Sequence, residues 1–253
     1  MLRWVYPLRV RASLYYRLHQ ASLLPGISSG VLEFAPGVEL QLFRADPMHQ
    51  CIGHTGFYEL RVTRQICHLA AEGGLLVDVG ANIGYYSCLW AAEQGSNTVV
   101  AVEAAPSNAD VLQENVQRNS FESQVRVLES AVGKEESTVL FEPGNESASG
   151  QGSLSIRDRE HAISITQTTL DHIVGGKDFI EVLKIDIEGA DTWALEGANQ
   201  LLQSRRIGHI FYEQEPSRME KLGIHPGRAQ ELLNSNGYQV ERIGSNEYHA
   251  TAK

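Results

Sequence analysis

The chain has 253 residues, 42% of them hydrophobic, and a net charge of −10. That length suits one large domain or a domain with an extension, and the apolar share excludes global disorder. The acidic balance argues against a nucleic-acid surface, which needs a basic face, so no nucleic-acid partner is expected. Cys51, Cys67 and Cys88 are scattered without CxxC or metal-ligand spacing. They fit a reducing, cytoplasmic setting and buried packing roles, and they offer no metal site.

Arg3, Arg9, Arg11 and Arg17 interrupt the apolar N-terminus too often for a signal-peptide core. A basic amphipathic helix there either packs on its own domain or a second subunit, or rests on an anionic membrane. No apolar run reaches the roughly 18–20 residues of a membrane span, so stable insertion is not expected. Leu23 to Ser29 reads as a linker, and Val31 to Phe34 with Val38 to Phe43 as a hairpin around Pro36-Gly37. Phe57 to Glu72 has helical periodicity and stops at Gly73-Gly74. Residues 1–55 are therefore expected to form a helix-and-hairpin extension, and 56–253 the main domain.

From Leu75 strands and helices alternate. The strands are Leu75 to Val79, Thr98 to Val102, Val125 to Leu128, Val182 to Ile187 and His209 to Tyr212. Ser107 to Asn119 reads as a helix capped by Ser107, Ala190 to Gln203 as one continuous helix, and Pro226 to Asn236 as another. Thr138 to Phe141 is a candidate edge strand before a Gly/Ser/Asn-rich loop, Pro143 to Gly152. Its Asn145-Glu146-Ser147 matches the glycosylation pattern but reads as ordinary loop. Tyr238 to Ile243 and Tyr248 to Thr251 flank a turn and form a terminal hairpin. The expected fold is α/β and Rossmann-like: a mostly parallel twisted sheet, helices on both faces, and an antiparallel C-terminal hairpin.

The segment Val77-Asp78-Val79-Gly80-Ala81-Asn82-Ile83-Gly84 marks a ligand-binding strand-to-helix turn. Glycines at such a turn let a ligand approach the backbone. The spacing is not Gly-x-Gly-x-x-Gly and no Lys-Ser/Thr pair follows, so a dinucleotide fingerprint and a P-loop are both poor matches. Ligands of open α/β sheets bind outside the strands' carboxyl ends. Those ends carry Asp78, Glu103, Ser130, Asp186 with Glu188, and Glu213 with Glu215. Converging carboxylates repel one another unless the ligand is cationic or rich in donors. Glu103 lies 19 residues beyond Gly84, near the roughly 20 expected of a ribose-binding carboxylate. Asp186 could take a proton from a hydroxyl, orient it, hold a cation, or be structural; His209 and His225 are further general-base candidates.

These motifs resemble those of S-adenosylmethionine-dependent methyltransferases, and more narrowly the FkbM family. The matching pieces are the Asp78–Gly84 turn, Val102-Glu103-Ala104-Ala105-Pro106, Gly56-Phe57-Tyr58-Glu59, and Asn108, Asn115 and Asn119. Glu129 to Gly133, Thr169-Leu170-Asp171 and Leu183 to Ala190 complete the set. The resemblance implies S-adenosyl-L-methionine as cofactor, held by Glu59, Asp78, Gly80, Asn82, Gly84, Glu103, Ser130, Ala131 and Asp186. It implies methyl transfer to the hydroxyl of a small-molecule acceptor such as a sugar, glycoside or polyketide, with Asp186, Glu188 and His209 the catalytic candidates. Two rivals remain open: an NAD-dependent oxidoreductase, disfavoured by the glycine spacing, and a non-catalytic cofactor-binding module. A homodimer through the N-terminal extension is also open.

Overall fold

The computed structural model describes residues 2–145, 147–155, 162–175 and 178–253. Glu146, the middle of the glycosylation pattern, lies outside them. The chain starts with α1 (Leu8–Gln20), a short hairpin of β1 (Ser29–Val31) and β2 (Glu39–Gln41), then α2 (Pro47–Thr55) and α3 (Leu60–Ala70). The alternating region runs β3 (Leu75–Val79), α4 (Tyr85–Glu93), β4 (Thr98–Glu103), α5 (Pro106–Arg118) and β5 (Val125–Glu129). A small insertion follows: β6 (Ala131–Val132), β7 (Ser137–Glu142), β8 (Ser153–Ser155) and β9 (Ile163–Thr168). Then come α6 (Leu170–Val174), β10 (Ile180–Ile185), α7 (Asp191–Glu196), α8 (Asn199–Gln203), β11 (Ile207–Glu213), α9 (Pro216–Lys221), α10 (Arg228–Ser235), β12 (Tyr238–Arg242) and β13 (Glu247–Ala252).

The main sheet has seven strands in the order β12-β13-β11-β10-β3-β4-β5. All neighbours from β11 to β5 are parallel, and β13 enters antiparallel between β11 and β12. Chain direction across the sheet reverses at the β3/β10 pair, the switch point where open α/β sheets bind ligands. Period-two alternation divides the core. Leu76, Val182 and Phe211 face α3, α4 and the N-terminal hairpin, whereas Val77, Leu183 and Ile210 face the layer of α8 and α10. Leu32, Val38, Leu40, Leu42 and Ile52 pack into the first of these layers, so the N-terminal segment shares the main core.

Two expected helices differ. The Ala190 to Gln203 stretch breaks at Gly197-Ala198, because the Asp171 carboxylate accepts the Gln200 and Leu201 N–H groups at 2.8 and 3.0 Å and starts a second helix. α5 begins one residue early: Ala105 is the flanking residue and Pro106 the first helical one, where its missing N–H costs nothing. α2, α9, β8 and β9 were not expected.

Candidate active site

The carboxyl ends of β3, β4, β10 and β11 open into a cavity of about 930 Å³, counted with its mouth. Gly80 and Asn82 line it from the turn after β3, Glu103 from the end of β4, and Ser130 and Ala131 from beyond β5. Asp186 and Glu188 follow β10, Glu213 ends β11, and Tyr58 and Glu59 precede α3. Met48 of α2 closes one side, and Phe141, Ser149, Gly150 and Leu154 of the insertion another.

The turn is also shaped by close protein-to-protein approach, a demand for glycine separate from the expected ligand access. Gly80 has φ +79, and a Cβ there would lie 1.9 Å from the Asp186 carbonyl oxygen. Gly84 has φ +89, would strike Leu112 at 2.4 Å, and does not line the cavity. Asn82, at φ +51, donates its backbone N–H to Glu103 Oε2 at 2.8 Å, and Ala105 N–H donates to Oε1 at 2.9 Å. Glu103 thus latches two strand ends together while lining the cavity. Burial pushes its carboxyl pKa up, and these N–H donors oppose that.

A second group of charges sits beside the turn. Lys184, 5% exposed, lies opposite Asp78 in the β10/β3 register and donates to Asp186 Oδ2 at 3.1 Å. Its ammonium also lies 4.9 Å from the centre of the Tyr86 ring. Burial pulls the Lys184 pKa down, but Asp186, Asp78 and Glu59 outweigh it and the net shift is upward. One cation therefore serves several carboxylates. Burial pushes Glu59 above the ordinary carboxylate range, against Lys184; Tyr86 donates to its Oε2 at 2.8 Å. Glu213 is likewise raised, by burial first and then by the charges of Asp186 and Glu59. Its carboxylate makes no hydrogen bond among the described residues. Burial lifts Glu188 to about 7 despite Arg218, whose Nε donates to it at 3.0 Å. Glu59, Glu213 and Glu247 bring carboxylate oxygens within 4.8 Å of one another, a spacing that suits an ammonium or a divalent cation alike.

The N-terminal segment reaches the same turn. Asp46 caps α2 by accepting the Met48 and His49 N–H groups, and its other oxygen accepts both N–H and O–H of Ser149 at 2.8 Å. His49 Nδ1 accepts from Phe43 N–H at 3.1 Å, which leaves the ring proton on Nε2. That nitrogen lies 3.0 Å from Asn82 Oδ1 and 3.1 Å from Ser149 Oγ. Asn108 holds the Ser149 carbonyl at 3.0 Å. One buried polar knot thus joins the extension, the β3 turn, α5 and the insertion.

Of the residues expected at the site, Glu59, Gly80, Asn82, Glu103, Ser130, Ala131, Asp186 and Glu188 line one cavity. Asp78 does not: it is 1% exposed, Ser87 donates to its Oδ2 at 2.7 Å, and its Oδ1 has no hydrogen-bond partner among the described residues. His209 lies near the start of β11, opposite Val182, and its Nδ1 is 3.0 Å from His249 Nε2. It belongs to a stacked histidine pair away from the cavity, which removes it from the catalytic set. Met48, Ser149 and the Asp46–His49 pair are not singled out by any sequence motif.

The strand order, the turn and its carboxylate define a Rossmann-like class I methyltransferase fold. The family model of the methyltransferase FkbM domain matches residues 78–240, and the chain belongs to that family. Among curated relatives it is 30% identical over 148 residues to hexuronic acid methyltransferase AglP of Haloferax volcanii, covering 58% of this chain and 59% of that protein. It is 25% identical over 198 residues to methyltransferase sdnD of Sordaria araneosa, covering 66% and 74%. A solved FkbM methyltransferase from Methylobacillus flagellatus shares the fold with a TM-score of 0.50 at 18% identity, over 71% of this chain and 44% of that one. The match to AglP therefore spans less than two thirds of that relative.

Proposed function

We propose that the chain is an S-adenosylmethionine-dependent O-methyltransferase acting on a hydroxyl of a sugar, glycoside or polyketide-like small molecule. The observation that carries this reading is the donor set of the cavity. Several carboxylates share essentially one buried lysine around a space that a ligand can enter, an arrangement relieved by a ligand carrying positive charge and hydroxyl donors. S-adenosylmethionine has both, and bound there it supplies an electrophilic methyl group on a sulfonium. In this reading Glu103 takes the ribose hydroxyls, Ser130 and Ala131 lie against the adenine, and Glu59 helps hold the amino group.

The chain's own residues then have three tasks. The walls exclude water and hold the acceptor oxygen near attack distance, and such positioning can supply about 7–11 kcal/mol. Asp186, tethered to Lys184, orients the acceptor hydroxyl. Glu213, raised by burial and free of hydrogen bonds among the described residues, takes the hydroxyl proton as the methyl is transferred. The kinship with AglP favours acidic sugars first among acceptors. The test is a panel of uronic acids, neutral sugars and hydroxylated polyketides incubated with methyl-labelled S-adenosylmethionine. Label in an O-methyl product supports the reading. Uptake of NAD(H) in place of S-adenosylmethionine would replace it with an oxidoreductase, and cofactor uptake without transfer to any acceptor with a binding module.

A further inference from the structure

The first 32 residues contain arginines at positions 3, 9, 11 and 17 and no acidic residue, in a chain whose net charge is −10. Arg11 spends its charge internally. It is 3% exposed, pairs with Glu33 at 2.6 Å, and donates to the Thr55, Arg3 and Val5 carbonyls at 2.8, 2.6 and 3.0 Å. Those last two bonds pin the backbone on either side of Trp4, while Leu2 and Leu8 are buried. Trp4 and Tyr6 are held outward, 95% and 82% exposed. Along α1 the residues Arg9, Val10, Tyr16 and Arg17 share the exposed side, with Val10 at 51% and Tyr16 at 52%. The opposite side, with Tyr15 bound to the Pro47 carbonyl at 2.7 Å, docks on α2.

A monomer surface rarely presents aromatic side chains this openly without a partner. We propose that this face docks the protein peripherally on an anionic lipid bilayer. Tryptophan and tyrosine settle at the headgroup level, where one end of the ring system is apolar and the other wet. Arg9 and Arg17 supply the attraction to anionic headgroups that an otherwise acidic body lacks. Charge also ranks the rivals. A two-fold contact with a second copy would set these arginines near one another. A duplex nucleic acid would engage the arginines but offers no apolar layer for Val10 and the exposed aromatic rings to enter.

The test is co-sedimentation of the full chain with equimolar phosphatidylglycerol–phosphatidylcholine vesicles, with phosphatidylcholine vesicles as control. Binding to the anionic vesicles that weakens with added salt is expected. Arg9→Glu with Arg17→Glu should lower the partition coefficient at least about tenfold, and Trp4→Ala with Tyr6→Ala several-fold. Both pairs are exposed, so thermal melting and S-adenosylmethionine binding should be unchanged. The proposal is overturned if the protein stays in the supernatant at low salt, or if either variant binds as well as the parent. It is also overturned if the aromatic pair instead disperses a dimer in sedimentation velocity, or if the face binds DNA or RNA and ignores the anionic vesicles.

Discussion

At the scale of single residues, the site depends on how carboxylates are kept close together. Glu103 holds the Asn82 and Ala105 N–H groups and faces the cavity. Glu103→Ala should therefore lower cofactor affinity by roughly 10- to 100-fold, since a hydrogen bond to a charged group contributes about 1.5–3 kcal/mol; calorimetric titration reads this directly. Glu213→Gln should lower turnover about 100-fold while leaving cofactor affinity within a few-fold, the mark of a lost general base. Unchanged turnover would move that role elsewhere. pH acts on binding and stability in opposite senses. Glu188 and buried Asp191 are each raised to about 7, chiefly by burial. A carboxyl whose folded pKa exceeds its unfolded value stabilises the fold below the unfolded value, and loses that contribution as pH rises through the folded one. The ligand-free protein should accordingly melt lower at pH 8 than at pH 5.5, and Asp191→Asn should flatten the slope. Affinity for cationic S-adenosylmethionine should rise over the same interval, more than for S-adenosylhomocysteine, which lacks the sulfonium charge. The acidic strand ends, Glu213 included, were visible in the sequence as residue types. That Lys184 lies beside Asp186 follows from the period-two alternation of the strand; that it also lies opposite Asp78 follows from the β10/β3 register, which no local pattern encodes.

Among the elements, those with a local cause were legible and those with a distant cause were not. β3 reads as buried on both faces because Leu76 and Val77 alternate between two apolar layers. The break between α7 and α8 was hidden, since the cap that makes it, Asp171, lies 29 residues from Gln200. α2 has a start signal in Asp46-Pro47 and a stop in Gly56, at φ +89. The alternating Ile163-Ser164-Ile165 of β9 was likewise a readable strand signal. Asp46 links two of these elements, α2 and the Ser149 segment. Asp46→Ala should cost about 2 kcal/mol through the lost cap and the lost Ser149 bonds. Limited proteolysis should show the 143–152 stretch cut faster, and cofactor affinity should fall with it. Gly80→Ala should cost roughly 3 kcal/mol, because its Cβ would meet backbone that cannot withdraw; a melting curve matching the parent's would contradict the close approach of the β3 turn to the end of β10.

For the whole molecule, the family, the mostly parallel sheet with its antiparallel terminal hairpin, and a ligand crevice at the strands' carboxyl ends were legible from the order of elements and motifs. The role of the first fifty-odd residues was not, because they match no motif and act through packing. They contribute Leu32, Leu40 and Ile52 to the main core and Asp46 and His49 to the knot on the β3 turn. A chain lacking residues 1–55 should fail to give a cooperative melt, rather than fold as a slightly weakened domain. Among the described residues no helix is long and apolar enough to cross a membrane. The assignment of the methyl donor is tested most directly by titrating the full chain with S-adenosylmethionine and, separately, with NAD(H), in parallel with Glu103→Ala. One S-adenosylmethionine bound per chain, weakened by that substitution and with no NAD(H) uptake, is the predicted result; NAD(H) binding without S-adenosylmethionine would contradict it.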